Sequence, residues 1–308
     1  MKKIIKLNNQ GFCYGVTHAI EIAIAASKNE SYPKPIYLLG DIVHNKHISL
    51  LLDKLGIITI KGNNRLQMLD QVEDYKTVIF SAHGVSDKVK EKAKRKHLVI
   101  VDAICPYVEK TVNLMKDELN KGNEIIYIGK ENHPETEAAL ELSEHVHLIQ
   151  SKADFDNSFI DKNIKIANQT TMSKYDIELL CNEILSYYPK AQVLDMVCKV
   201  TEKRQDELKT TIDKLNNSLI IIIGDKNSNN STKLYELAKR SINNYSVFIE
   251  SINDLDLSIV RKYDTIVIAS GTSTPIVLIN EVEETIKNID NIKEDYIKSN
   301  IQLDDYLK

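Results

Sequence analysis

Blocks of apolar and polar residues follow one another in the same order three times along the chain. Each block opens with a strand-like run that leads to a cysteine. A helix-like run follows, in which apolar residues recur every three or four positions, and then an apolar run that ends at glycine. A polar loop, a short helix, two further strand-like runs and a closing helix complete the block. The apolar runs PIYLLG, NEIIYIG and SLIIIIG are typical of strands that are covered on both faces. The alternation of strands and helices therefore predicts parallel sheets with right-handed crossovers.

The repeat predicts an α/β fold made of three similar small domains. We expect these domains at residues 1–97, 98–190 and 191–288, followed by a polar tail at 289–308. If three equivalent domains pack together, their mostly parallel sheets adopt a pseudo-threefold arrangement around a central cavity. Ligands bind beyond the carboxyl ends of parallel strands, so the polar loops that follow the strands should face this cavity.

Three cysteines occupy the same position in the three repeats. Cys13 and Cys105 are 92 residues apart, Cys105 and Cys198 are 93 residues apart, and each follows a strand-like run and opens a helix. Helix N-termini lower the pKa of a thiol, so three thiolates that met at one centre would form a soft metal site with an open position. Cys181 differs, because it lies among leucines on an apolar helix face, and we expect it in the core.

The metal remains open between zinc and an iron–sulfur cluster on these grounds alone. Zinc sites usually contain closely spaced Cys-x-x-Cys pairs, and this chain has none. Widely spaced single cysteines fit better a cluster that is held at three corners, with one iron open. The alternative, three small buried hydrophobic residues, explains the regular spacing less well.

The polar loops carry residues that can bind an anion or transfer a proton. Imidazoles and hydroxyls can donate hydrogen bonds to a phosphate, although the histidines could equally be surface or capping residues and the serines simple N-caps. Glu135 could keep a proton if it is buried, or it could complement the dipole in the first turn of a helix. No phosphate-binding Gly-x-x-x-x-Gly-Lys-Ser/Thr motif occurs. The candidate loop residues are His44, His83, His133, Glu135, Thr170, Thr171, Ser228, Asn230 and Ser273.

Composition places the chain among ordinary globular proteins. It has 308 residues, of which 43% are hydrophobic and 27% charged, and its net charge is −4. This charge gives no field that would attract nucleic acid or anionic lipid. We see no secretory signal and no apolar run near the roughly 20 residues of a membrane span. Four cysteines in a chain of this length do not form a disulfide framework, so we expect a cytoplasmic protein.

Nine motifs in this order resemble those of the 4-hydroxy-3-methylbut-2-enyl diphosphate reductase family. The resemblance extends from residue 9 to about residue 280. Any one of these motifs is weak evidence, but the ordered set is highly specific. The motifs are GFCYGV, GDIVHN, SAHGVS, DAICP, NHPE, NQTTMS, Cys198 followed by T-x-x-RQ, NSNNS and SGTSTP.

The resemblance implies a reductive dehydroxylation that yields isopentenyl and dimethylallyl diphosphate. It implies a three-lobed protein with a 4Fe–4S cluster, and ferredoxin or flavodoxin as the electron donor. The implied cluster ligands are Cys13, Cys105 and Cys198. The implied substrate site comprises His44, His83, Ser228, Asn229, Asn230 and Ser273 at the diphosphate, His133, Thr170 and Thr171 near the hydroxyl, and Glu135 as the proton source.

The chain departs from the usual pattern of that family at five positions, namely His18, Ile104, Ala138, Ala139 and Asn229. A non-catalytic iron–sulfur sensor would explain the cysteines but leave Glu135 and the anion-binding loops without a role. A diverged paralogue that acts on another small anionic alcohol would explain both. A zinc-dependent hydrolase fits the cysteine spacing less well than either.

Overall fold

The computed structural model describes residues 2–62, 64–154, 163–194 and 196–307. Within these ranges, no helix is both long enough and apolar enough to cross a membrane. The strands are β1 Lys3–Lys6, β2 Ile36–Leu39, β3 Ile57–Ile60, β4 Thr77–Phe80, β5 Val99–Asp102, β6 Glu124–Ile128, β7 Val146–Ile149, β8 Ile164–Asn168, β9 Gln192–Val193, β10 Ser218–Ile223, β11 Tyr245–Ile249 and β12 Thr265–Ser270. The helices are α1 Tyr14–Lys28, α2 Lys46–Lys54, α3 Arg65–Met68, α4 Asp87–Arg95, α5 Pro106–Asn120, α6 Pro134–Leu140, α7 Lys174–Tyr187, α8 Lys199–Ile212, α9 Asn229–Lys239, α10 Leu257–Arg261 and α11 Ile276–Lys287.

These strands form three four-stranded sheets in which every pairing is parallel. Their strand orders are β3-β2-β4-β5, β7-β6-β8-β9 and β11-β10-β12-β1, so all three sheets share one topology. The predicted α/β class with parallel sheets is confirmed. The strand that precedes each cysteine pairs with the sheet of the preceding repeat, as β5 does with β4. Each sheet therefore contains strands from both sides of a predicted domain limit. The limits at residues 97, 190 and 288 describe the sequence repeat and stay a prediction for the domains.

Apolar residues cover both faces of the second sheet, as its continuous apolar strands predict. On one face, Ile126 of β6 packs with Cys181 of α7. On the other face, Tyr127 packs with Met115 of α5. The predicted core position of Cys181 is confirmed, and burial raises the pKa of its thiol to about 11, so it remains protonated at neutral pH.

The described chain divides into two compact units. Unit one comprises Met1–Tyr14, His44–Leu51 and Lys199–Lys308, and it holds the sheet formed by β11, β10, β12 and β1. Unit two comprises Gly15–Val43 and Leu52–Cys198, and it holds the other two sheets. The predicted polar tail packs within unit one. There the buried ring of Tyr306 stacks on His47 with a centroid distance of 4.4 Å.

Two short helices begin earlier than the apolar pattern predicts. The pattern places their starts at Ala138 and Lys233, whereas α6 begins at Pro134 and α9 at Asn229. Side-chain caps explain the earlier starts, because His133 and Ser228 accept backbone hydrogen bonds from the first turns. Proline at the first helical position also sets the backbone angle that α6 needs. The polar loops thus contribute first helical turns to the candidate site.

Candidate active site

The three predicted ligand cysteines are each fixed by the same backbone hydrogen bond. In every sheet, the cysteine N–H donates to the carbonyl oxygen two residues beyond the end of the neighbouring strand, which is β4, β8 or β12. The repeat therefore extends to individual hydrogen bonds, and each cysteine lies at the carboxyl end of its own sheet. All three are partly exposed. The bonds join Cys105 to Ala82 (2.9 Å) and Cys198 to Thr170 (3.1 Å) in unit two, and Cys13 to Thr272 (3.1 Å) in unit one.

The surroundings of these cysteines suit thiolate ligands. Cys105 is the N-cap residue of α5, and Cys13 and Cys198 directly precede α1 and α8. The partial positive charge of a helix N-terminus stabilises a thiolate. A Cβ atom at Gly15 would lie 2.4 Å from the sulfur of Cys105, so this thiol occupies a space that only glycine leaves open. The donor set, three sulfurs at helix starts with one in a glycine cradle, fits an iron–sulfur cluster.

Glu135 and Thr170 form a buried pair in unit two. The backbone N–H of Thr170 donates to Oε2 of Glu135 (2.9 Å), and its hydroxyl donates to Oε1 (3.1 Å). Glu135 is 5% exposed and Thr170 is 4% exposed. Burial raises the pKa of Glu135 to about 7, although the two hydrogen bonds from Thr170 act in the opposite direction. A carboxyl group with this pKa can hold a proton and release it near neutral pH.

His133 directs one ring nitrogen at the backbone of Glu135. The N–H of Glu135 donates to Nδ1 of His133 (3.2 Å), which caps α6. In a neutral imidazole, this acceptor role leaves the proton on Nε2. The rings of His83 and His133 meet edge to face, with centroids 5.4 Å apart. His133 is therefore a capping residue, which was one of the alternatives from the sequence, and a buried neighbour of Glu135.

In unit one, neutral donors gather where β10 and β12 end. The hydroxyls of Ser228 and Ser273 lie 3.4 Å apart, and Ser273 also donates to the carbonyl oxygen of His44 (3.1 Å). The side-chain oxygen of Asn230 accepts the N–H of Thr272 (3.0 Å). Its buried amide nitrogen has no hydrogen-bond partner among the described residues. This arrangement leaves a donor available for an anion such as a phosphate.

Two further predicted residues lie beside these groups. The hydroxyl of Thr171 accepts a hydrogen bond from the side chain of Gln169 (2.9 Å) in unit two. Asn229 is buried and is the first residue of α9 in unit one. Within unit two, the structure thus groups His83, His133, Glu135, Thr170 and Thr171. Within unit one it groups His44, Ser228, Asn229, Asn230 and Ser273.

Arg204 is a site-supporting residue that the sequence analysis did not single out. Its buried guanidinium donates to the carbonyl oxygens of Gly11 (2.7 Å), Ser270 (2.9 Å) and Gly271 (2.8 Å). These bonds hold together the loop that leads to Cys13 and the loop that leads to Ser273, all within unit one. The available signal was the T-x-x-RQ motif, which places an arginine in the first turns of α8.

Asn45 and Arg65 were also missed. The amide nitrogen of Asn45 donates to the carbonyl oxygen of Ser273 (2.7 Å), while its oxygen caps the first turn of α2. In unit two, the guanidinium of Arg65 pairs with Glu137 of α6 at 2.9 Å, two residues beyond Glu135. The asparagine before a helix start was a usable signal, whereas nothing in the sequence links Arg65 to a carboxylate 72 residues away.

Comparisons with known proteins agree on one family. The model of the family described as LytB protein matches residues 4–287. The 4-hydroxy-3-methylbut-2-enyl diphosphate reductase of Macrococcus caseolyticus is 40% identical over 292 residues, which is 94% of this chain and 90% of that protein. The reductase of the same name from Bacillus subtilis is 39% identical over 290 residues, covering 94% of this chain and 91% of that protein.

Two solved structures are similar over nearly their whole length. The structure of E-1-hydroxy-2-methyl-but-2-enyl-4-diphosphate reductase from Plasmodium falciparum has a TM-score of 0.85 and 28% identity, covering 98% of this chain and 94% of that chain. A structure of (E)-4-hydroxy-3-methyl-but-2-enyl diphosphate reductase, described as the terminal enzyme of the non-mevalonate pathway, has a TM-score of 0.65 and 27% identity. It covers 94% of this chain and 100% of that chain.

Proposed function

Because the chain belongs to the LytB family, we propose that it reduces 4-hydroxy-3-methylbut-2-enyl diphosphate to isopentenyl and dimethylallyl diphosphate, with release of water. The observation that carries this proposal is the buried pair of Glu135 and Thr170. Glu135 has a pKa of about 7, and the carbonyl oxygen of Thr170 accepts the N–H of Cys198. An acid that holds its proton near neutral pH thus lies two hydrogen bonds from a candidate cluster ligand.

The proposed cofactor is a 4Fe–4S cluster held by Cys13, Cys105 and Cys198. When bound, such a cluster supplies electrons and an open iron that acts as a Lewis acid. The equivalent hydrogen bonds at the three cysteines, the helix N-termini beside them and the glycine cradle at Cys105 support this assignment. We assign the electrons to ferredoxin or flavodoxin on the strength of the family resemblance.

The proposed diphosphate site consists of the neutral donors in unit one and the candidate histidines. Ser228 and Asn230 lie at the start of α9, where the helix dipole favours an anion. The amide nitrogen of Asn230 offers a hydrogen bond without breaking one. The remaining proposed donors are His44, His83, Asn229 and Ser273. Binding of the diphosphate would hold the alcohol end of the substrate in one position and so replace random collision by a positioned reaction.

The proposed acid is Glu135. Its proton would pass to the departing hydroxyl, which leaves as water, and the Thr170 hydroxyl would keep the carboxyl group in position. The proton on Nε2 of His133 would face the same end of the substrate, with Thr171 beside Thr170. The overall change consumes two electrons and two protons and releases one water molecule for each diphosphate product.

A test of the activity begins with the reduced, air-free protein. Incubation with the hydroxylated diphosphate should yield isopentenyl and dimethylallyl diphosphate in amounts that scale with the electrons supplied. Failure of the protein with a full complement of iron and sulfide to form either product would contradict the proposed function.

A test of the cluster compares two cysteine variants. We expect about four iron and four sulfide atoms per chain in the unchanged protein. Cys105→Ser should lose most of this iron and all product formation, whereas Cys181→Ser, which replaces a buried core thiol, should keep its iron. Equal iron contents in the two variants would contradict the assignment of Cys105.

A further inference from the structure

A cavity of about 70 Å³ lies among α4, α5 and α6 of unit two. We take its inner end to be at Glu135 and Tyr127, which line it and are buried. Its outer end is lined by Asp87, Lys90 and Lys116, which are exposed or half-buried. The cavity therefore extends from the candidate acid to charged residues at the surface of this unit.

The cavity is large enough for several water molecules, because a single water molecule needs a cavity volume of only about 10–15 Å³. Polar groups that could hold these waters occur along its length. The lining residues that carry such groups include Glu135, Tyr127 and Asn113. Tyr127 is 3% exposed, and burial together with the nearby Glu135 raises its pKa, so its hydroxyl stays protonated near neutral pH.

Glu135 needs a source of protons if it acts as the acid in the proposed reaction. Each turnover would remove its proton, yet only 5% of the residue is exposed, and its carboxyl oxygens face the backbone and hydroxyl of Thr170. We propose that this cavity is a water-filled passage through which Glu135 regains its proton from the solvent. This inference rests on the proposed function and deepens it by naming the route of one reactant, the proton.

The transfer is balanced without any further reactant. A water molecule at the inner end gives a proton to the Glu135 carboxylate, and its neighbours pass a proton inward in turn. At the outer end, a proton enters from bulk water beside the exposed ion pair of Asp87 and Lys116, whose charged atoms lie 2.6 Å apart. No residue is oxidised or reduced, and the net change is the protonation of one carboxylate.

Bulky side chains on α5 should obstruct the passage. Val112 and Asn113 line the cavity but lie outside the proposed substrate and cluster sites, so Val112→Phe and Asn113→Phe are suitable obstructions. Val112→Ala widens the cavity at the same position. Asn120→Phe adds the same ring to the last residue of the same helix, which does not line the cavity. The second obstruction keeps the test valid if the first variant fails to fold.

The first experiment separates the first turnover from later ones. At a pH of about 6, most molecules carry a protonated Glu135 at the start, so the obstructed variants should complete a first turnover at the rate of the unchanged protein. Their steady-state kcat should then fall by about tenfold, with a larger solvent deuterium isotope effect. The two control variants should keep both rates. Unchanged steady-state kcat in both obstructed variants would overturn the passage, and so would equal losses in the first and later turnovers.

The second experiment needs no activity. At a pH of about 6, the protonated carboxyl group of Glu135 should give an infrared band that is absent in Glu135→Gln. After transfer into D₂O, this band should shift more slowly in Val112→Phe than in Val112→Ala or Asn120→Phe. Equal exchange in all of them would overturn the passage while leaving the proposed reaction intact. Absence of any first turnover in the unchanged, cluster-loaded protein would instead overturn the proposed function and, with it, the role of the passage.

Discussion

The two compact units carry site residues of different chemical kinds. Besides His44, the candidate donors in unit one are the hydroxyls of Ser228 and Ser273 and the amide of Asn230, and these three groups stay neutral near pH 7. In unit two, His83, His133 and Glu135 lie together, and burial raises the pKa of Glu135 to about 7. Under the proposed function, the donors of unit one would bind the diphosphate, and Glu135 of unit two would transfer a proton.

The difference follows from how each unit uses its buried polar atoms. In unit one, the guanidinium of Arg204 donates hydrogen bonds to three backbone carbonyl oxygens, and these bonds hold two loops in fixed positions. In unit two, Thr170 donates two hydrogen bonds to the carboxyl group of Glu135, and burial outweighs them in setting its pKa. Hydrogen bonds to backbone carbonyl oxygens fix the position of Arg204, whereas burial gives Glu135 a pKa of about 7.

The largest expected effect comes from removing the acid of unit two. Glu135→Gln should lower kcat by about a thousandfold, since a general acid is lost, and leave the affinity for the substrate unchanged. Rapid-quench kinetics with equilibrium binding would measure the two quantities separately. The matched change at the exposed Glu144 should leave both unchanged. If the kcat of Glu135→Gln stayed within a few-fold of the original, Glu135 would not be the acid of the reaction.

The same variant should change stability in a pH-dependent way. The pKa of Glu135 is about 7 in the folded chain, against 4.5 in the absence of burial. The folded state therefore binds more protons between these values, and stability falls as pH rises through this window, by about 3 kcal/mol in total. Glu135→Gln avoids this loss. We expect its air-free melting temperature to exceed that of the unchanged protein at pH about 8 but not at pH about 4. If the difference in melting temperature between the two proteins were the same at both pH values, the pKa of Glu135 would not be raised in the folded chain.

A smaller effect is expected from a neutral donor of unit one. Asn230→Ala removes the unpartnered amide and should weaken diphosphate binding about tenfold, with kcat at saturation little changed. Calorimetry with isopentenyl diphosphate would measure the loss, and Asn120→Ala is the surface control. A fall in kcat without any loss of affinity would place Asn230 in the chemical step instead.

The smallest expected effect is a shift of the pH profile. Activity should decline as pH rises through about 7, because Glu135 then loses its proton. The hydroxyl of Thr170 lowers the pKa of Glu135, so Thr170→Val should move this decline upward by about one pH unit. Thr170→Ser keeps the hydroxyl and should leave the midpoint in place. A downward shift in Thr170→Val would show that the hydroxyl does not stabilise the carboxylate.

Much of the fold could be predicted from the chain because its apolar periodicity is local. The pattern gives α1 its observed limits, Tyr14–Lys28, and locates the buried strands β2, β6 and β10 to within a residue or two. The early starts of α6 and α9 could not be predicted in this way, since polar capping side chains interrupt the periodicity. The sequence also predicted parallel sheets, but the pairing of β1 with β12 joins residues from opposite ends of the chain.

The site was predictable in its residue types but not in its electrostatics. The spacing of the cysteines selects Cys13, Cys105 and Cys198, and the loops after the strands select Glu135 and Asn230. Burial raises the pKa of Glu135, and the hydrogen bonds from Thr170, 35 residues away, oppose this rise. The hydrogen bonds of Arg204 reach carbonyl oxygens up to 193 residues away. Such environments arise from tertiary contacts, which no local pattern encodes.

An infrared titration of the Glu135 carboxyl band shows whether burial keeps this group protonated near neutral pH. We expect the band of the protonated form to disappear with a midpoint near pH 7 and to be missing throughout in Glu135→Gln. A midpoint near 4.5, the pKa of a glutamate without the effect of burial, would contradict this expectation.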